Sequence, residues 1–325
     1  MITHTMNQKI HSNSKAMATW FERMVKSLGN HSDRLNAINI FPVADGDTGS
    51  NLYLTARSAH DAISRLETEN IGELLTMASR AAMESARGNS GTLLAVFLAG
   101  LAEPLCGVER LTAPVLATAL ERGKVRAWSA LSDPVTGTML SVMEVVAASA
   151  RETHLASELE PESKAALVEV LDAICLAAEE AVVATENELG ALHQAKIVDA
   201  GAVGMLIILD ELRGALLGHT IDPAEYSTLH GYDIQDPHIH QSVSNETGVE
   251  VMCTISLDAL GAATLRGQLD AIGDSVIMSP VNATEDGYRW RVHVHVPEAD
   301  HALDVIRGIG SPVNVTVTDL CTHDG

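Results

Sequence analysis

Between about Lys15 and Leu217 apolar residues recur at helical spacing, in Ala-, Leu- and Val-rich stretches broken by turns of Gly, Pro and Asp. The spacing predicts six to eight helices, among them Ile71 to Ser85, Thr92 to Ala102, Ala113 to Arg122, Thr138 to Ala150, Lys164 to Thr185 and Ala202 to Leu217. Several are apolar over much of their circumference, as helices inside a compact bundle are. Residues 219–248 lose this period and gain Pro, Asp, Asn, Ser and His, which reads as a linker. Its histidines, His219, His230, His238 and His240, raise the alternative of a metal site, but a solvated linker accounts for them better.

After Gly248 the period switches to two. Val249 to Leu257 reads as a strand, Asp258 to Ile272 as a helix and Ser275 to Val281 as a strand, with a turn at Asn282 to Gly287. Tyr288 to Val296 alternates cleanly: Tyr288, Trp290, Val292, Val294 and Val296 share one face, and Arg289, Arg291, His293 and His295 the other. A short helix to about Ile309 and a strand from Pro312 to Leu320 complete the order βαββαβ, for which a ferredoxin-like sheet is the simplest reading.

At 325 residues two domains are expected, and 46% hydrophobic residues suffice for packed cores, although aromatics are only 3%. The formal charge of −22 disfavours nucleic acid and anionic lipid as partners, and an acidic protein that takes ATP needs metal ions to offset its own charge near the phosphates. Cys106, Cys175, Cys253 and Cys321 lie far apart without paired spacing, which suits a reducing cytoplasm. The polar start has no apolar signal-peptide core, and no apolar run approaches membrane-spanning length.

The chemistry concentrates in four turns. In Phe41-Pro-Val-Ala-Asp45-Gly-Asp47-Thr48-Gly49-Ser50-Asn51, two carboxylates one residue apart precede a helix N-terminus, a geometry for a metal and a phosphate. Thr48 is a candidate cap, with the N–H groups of Gly49 and Ser50 left for anions. An EF-hand loop is excluded, since its sixth position is Ser50 and its twelfth Ala56. Ala86-Arg-Gly-Asn89-Ser90-Gly91-Thr92 is a second turn, weak by itself; Asp133 to Leu140 and Val198 to Gly204 are two more, each opening an apolar helix. Neither a P-loop nor a dinucleotide fingerprint is present.

In order, these segments resemble the DhaL-type nucleotide-binding domain of dihydroxyacetone kinases, and more closely its version in bacterial fatty acid kinase A. The resemblance implies an all-α barrel of about eight antiparallel helices over residues 15–218, a linker at 219–248 and the small α+β domain at 249–325. It implies ATP or ADP with two magnesium ions, Asp45 and Asp47 acting as the catalytic metal carboxylates and Asn39 standing nearest to a third ligand. Thr48, Asn51, Asn89, Ser90, Gly91, Gly137, Thr138, Met139, Asp199 and Gly201 match positions that line the nucleotide.

The resemblance runs on through Cys253-Thr254, Gly273-Asp274-Ser275 and Val292-His293-Val294-His295, and implies a zinc site of Cys253, His293 and His295. Strand alternation, however, puts Cys253 on the apolar face and the two histidines on the polar face, so that all three meet only if a bulge or strand edge reorients one. The implied function is a cytoplasmic, homodimeric phosphotransferase subunit that passes the γ-phosphoryl group of ATP to an acceptor presented by a partner, such as a fatty acid on a fatty-acid-binding protein. The chain stops at Gly325, so the third domain of fatty acid kinase A is expected to be absent. A non-catalytic nucleotide-binding regulator and a dihydroxyacetone-type kinase subunit are the alternatives.

Overall fold

The computed structural model describes residues 12–232, 248–284 and 287–320. The chain is mostly helical, followed by a small antiparallel sheet. Among the described residues nine α-helices come first: α1 (Ser14–Ala37), α2 (Thr48–Ile63), α3 (Ile71–Ser85), α4 (Gly88–Ala102), α5 (Ala113–Ala130), α6 (Met139–Ala156), α7 (Lys164–Glu188), α8 (Gly190–Ala195) and α9 (Ala200–Leu217). Their starts are written in the sequence: Asn13, Asn70, Ser163 and Asp199 each accept a backbone N–H from the first turn. From α1 to α7 each helix packs on its successor, and α9 joins α7 and returns to α1. α4 and α9 are buried around nearly their whole circumference, which explains their lack of a polar stripe.

Several helices extend beyond their expected limits, α4 and α5 among them. α5 continues past Arg122 to Ala130 because Gly123, which reads as a breaker, lies where a Cβ would meet the Phe97 ring at 2.7 Å; its bare backbone lets α4 and α5 approach. α4 begins at Gly88, so the turn before Thr92 is its first helical turn.

The second part comprises β1 (Val249–Leu257), α10 (Ala259–Asp270), β2 (Asp274–Thr284), β3 (Gly287–Val296), α11 (Ala299–Ile309) and β4 (Val313–Asp319). The sheet order is β2-β3-β1-β4 and every pairing is antiparallel. Val251, Cys253, Ile255, Val292, Val294 and Val296 form a core with Leu265, Leu269 and Ile306 of the two helices. The other face is buried too: Arg291, His293 and His295 are 4%, 0% and 5% exposed, packed towards the helical part instead of facing water. Ile277 of β2 belongs to the helical core, and Ser132 N–H donates to Val276 O at 3.2 Å.

Residues 219–232, expected to be solvated, contribute Tyr226, Leu229 and Tyr232 to the helical core. Aromatic burial there outweighs the polar composition of the segment. His230 pairs with Glu186 at 2.8 Å, while His238 and His240 lie outside the described residues. Among the described residues no helix is long and apolar enough to cross a membrane.

Candidate functional site

A cleft of about 700 Å³ opens where the helical part meets the sheet. Of the residues expected at a nucleotide, Thr48, Asn89, Ser90, Thr138, Met139, Asp199 and Gly201 line it. Sequence reasoning missed its opposite wall, Asp270 and Gly273 to Val276, and its apolar side from Phe41, Leu93, Leu131 and Val135. Nothing in the spacing of those residues separates them from ordinary loop and core positions.

Helix N-termini converge on this cleft through one carboxylate. Asp199 is 5% exposed and accepts the Ala202 N–H at 2.7 Å, with further bonds from the N–H groups of Gly201 and Met139. It thereby caps α9 and clasps the first residue of α6. Burial drives its carboxyl up to about 7, against the pull of those three donors. Thr138 caps α6 by accepting from Leu140 N–H at 3.3 Å, and Gly137, with φ +81°, donates its N–H to Ser141 Oγ at 2.8 Å just behind the cleft.

Asp45 and Asp47 sit beside the cleft, half-buried and bonded to each other through their carboxyl groups. Burial first, then the charge of Asp47, pushes the Asp45 carboxyl up to about 8. Burial also raises Asp47; Asn51 and Asp45 draw it back, and Glu250 and His293 of the sheet act on it in opposite directions. Asn39 is engaged at both ends of its amide. Its amide donates to Asp45 Oδ1 at 2.6 Å and to Val43 O at 3.1 Å, and its carbonyl accepts from the Thr48 hydroxyl. It therefore ties the loop together and aims Asp45.

Packing also shapes the turns around the cleft. The Ser50 N–H is taken by Asn36 Oδ1 at 3.1 Å and is not available to an anion. Gly49 and Gly91 serve helix approach: a Cβ on Gly49 would strike the Ser32 carbonyl of α1, and one on Gly91 would lie 2.5 Å from Thr55 Oγ1 of α2. Asn51 lies beneath this contact with its amide acting on Asp47, and Asn89 Oδ1 is buried without a hydrogen-bond partner. Such orphaned groups are costly unless a ligand completes them.

In the sheet, β1 and β3 pair without interruption from Val249↔Val296 to Leu257↔Tyr288. The register puts Cys253 opposite Val292 in the apolar core and Glu250 opposite His295, next to His293. A shift at Cys253 affects only the pairing of β1 with β4 and does not turn the thiol over. The structure thus separates Cys253 from the two histidines and brings Glu250 to them instead, the ligand atoms of the three lying within 4.8 Å of one another.

His293 Nε2 lies 3.2 Å from Glu250 Oε1, yet neither nitrogen of that ring finds hydrogen-bond geometry among the described residues. Burial raises Glu250, but the closeness of His293, then His295 and the Gly88 N–H, prevail and hold it below its ordinary range. Burial, then His293, lowers His295 to about 3, leaving the imidazole neutral and its Nδ1 unpartnered. The signal for Glu250 was present in sequence as a lone acid within the apolar run Val249 to Leu257.

The helical part thus sets paired aspartates beside clustered helix N-termini, walled by a small sheet. The chain belongs to the DAK2-domain family, whose model matches residues 42–214, and residues 246–324 match the middle domain of fatty acid kinase A-like proteins. An uncharacterised protein of Staphylococcus haemolyticus (strain JCSC1435) is 26% identical over 316 residues, covering 95% of this chain and 55% of that protein. One from Staphylococcus aureus (strain USA300) is 27% identical over 316 residues, covering 95% and 56%. The chain spans about half the length of these curated relatives. Among solved structures, the dihydroxyacetone kinase of C. freundii in its native form aligns with a TM-score of 0.45 at 20% identity, over 66% of this chain and 37% of that one. The same kinase in complex with AMP-PNP and Mg2+ gives 0.46, 22%, 66% and 36%.

Proposed function

We propose that this chain is the ATP-handling subunit of a phosphotransferase, passing the γ-phosphoryl group to an acceptor carried by a partner protein. The observation that carries the reading is the Asp45–Asp47 pair, two half-buried carboxyl groups that keep a shared proton because both cannot ionise without repulsion, beside a cleft lined by Asn89. A hard divalent cation removes that repulsion, and oxygen donors from carboxylates fit magnesium. Magnesium held there supplies neutralisation of the charge that spreads over the phosphoryl oxygens during transfer. Asn39 aims Asp45, Asn51 acts on Asp47, Asp199 sets the N-termini of α6 and α9, and Asn89 supplies an unspent polar group. The middle-domain match favours a fatty acid carboxylate on a lipid-binding partner as the acceptor, and such an acceptor needs no general base.

Glu250, His293 and His295 offer two imidazoles and a carboxylate, a donor set suited to zinc with one position open. We read this as a second metal site, bordering the aspartate pair through the influence of Glu250 and His293 on Asp47. In architecture we read residues 15–218 as an eight-helix barrel, 219–248 as the connection and 249–325 as a ferredoxin-like module. The assembly we infer is a cytoplasmic homodimer, for which β4 offers a surface: its outer edge is unpaired among the described residues, and Val313, Val315 and Val317 are exposed.

The decisive assay is Mg2+-dependent ATP consumption in the presence of co-purified partner. Asp47→Ala is expected to lower the rate by about a hundredfold or more. Equal rates in wild type and variant sink the catalytic reading. Elemental analysis of protein purified without chelator is expected to find zinc, lost in His293→Ala; a metal content unchanged by that substitution removes the second site.

A further inference from the structure

Two arginines of the sheet domain reach across to the helical part and end on the same kind of group. Arg291 of β3, 4% exposed, donates through Nη2 to the Ala86 carbonyl at 3.1 Å, where α3 ends. Arg266 of α10 donates to the carbonyls of Ser129 at 3.3 Å and Ala130 at 2.9 Å, the last residues of α5, while holding its own domain through Met278 O at 3.1 Å. The last carbonyls of a helix have no partner within it and carry the negative end of its dipole, so each guanidinium is a cap supplied from another domain.

Both capped ends lead at once into turns that line the cleft. Ala86 leads to Asn89 and Ser90; Ala130 leads to Leu131, Ser132, Asp133 and on to Thr138. Each turn is pinned a second time by the sheet domain. The Gly88 N–H donates to Glu250, and the Ser132 N–H to Val276 O, with Leu131 bridging Ile277.

A guanidinium is a costly way to glue two surfaces, since apolar residues of similar volume would cohere as well. Its planar fork, unlike an ammonium, spans two carbonyls and fixes their orientation. We propose that Arg266 and Arg291 are positioning residues, which set the geometry of the two cleft turns from the sheet domain and so make nucleotide affinity depend on its docking. This rests on the reading of the cleft as a nucleotide site.

The test compares Arg266→Met and Arg291→Met with Arg266→Lys, Arg291→Lys and the control Arg289→Ala. Arg289 meets Glu84 across the same interface at 3.4 Å, but as an exposed pair. Calorimetric titration of the full chain with AMP-PNP and Mg2+ is run beside ligand-free thermal melting. Each Met variant is expected to bind about tenfold more weakly or worse, each Lys variant in between, and Arg289→Ala as wild type, at similar melting temperatures.

Met variants that bind as wild type does overturn the proposal, as does an affinity loss that simply tracks ligand-free destabilisation. Should a Met variant fail to fold, its Lys counterpart decides: folded with weakened binding supports the proposal, and folded with full affinity overturns it. Wild-type protein that binds no AMP-PNP overturns the cleft reading itself, and this proposal with it. Unaffected binding in the arginine variants overturns only this proposal.

Discussion

Asp45 and Asp47 are held where neighbouring carboxylates cost the fold most, and the cost has a pH signature. The Asp45 carboxyl moves from 3.8 to about 8, so the stability linked to its proton is complete below 3.8 and is lost as pH rises through 8. Magnesium must displace that shared proton, so its affinity is expected to rise about tenfold per pH unit up to about pH 8. Calorimetry in buffers of different ionisation enthalpy checks this by the protons released, and a flat profile between about pH 6 and 8 contradicts it. The pair itself was legible because Asp-Gly-Asp before a helix is a spacing with chemical meaning. Asn39 was legible as a neighbour but not in its role, since a hydrogen bond to Asp45 and a metal bond make the same demand on sequence position.

For the helices, the boundaries that mattered were set by close approach and by capping. Hydrophobic period found most of the helices. It could not tell that Gly49 and Gly91 serve helix contact, because a glycine in a turn motif looks alike whether a phosphate or a backbone fills the space beside it. Asp199 is the element-scale hinge of the site, with one carboxylate on the N-termini of two helices. Asp199→Ala is expected to cost about 1–2 kcal/mol in urea unfolding through the lost caps. Asp199→Asn keeps an acceptor and loses the titration. The stability that wild type surrenders from pH 3.8 to about 7, as the buried carboxyl gives up its proton, should then stay level. A variant that retains the wild-type pH slope in that interval assigns the slope to another group.

On the scale of the whole molecule, the sequence contained both faces of the sheet but not what covers them. Alternation in Tyr288 to Val296 separated valines from histidines correctly, while their polarity suggested water where the structure puts the helical part. Pairing partners more than forty residues apart decided which side chain meets the histidines: Cys253 sits one residue out of phase with His293, and Glu250 is in phase. Likewise the polar composition of residues 219–232 hid three side chains that fill the helical core.

β3 has no idle side along its second half, with valines feeding one core and Arg291, His293 and His295 the junction with the helices. Length variation is therefore barred there in a way that substitution is not. One residue inserted between Trp290 and His293 would trade the two sets, driving imidazoles into oil and leaving methyl groups opposite Asp47. Such a chain should emerge with neither metal nor firm junction, detectable as protease cleavage between the two parts, whereas an insertion between Glu160 and Pro161, in the exposed turn joining α6 to α7, should leave the protein intact.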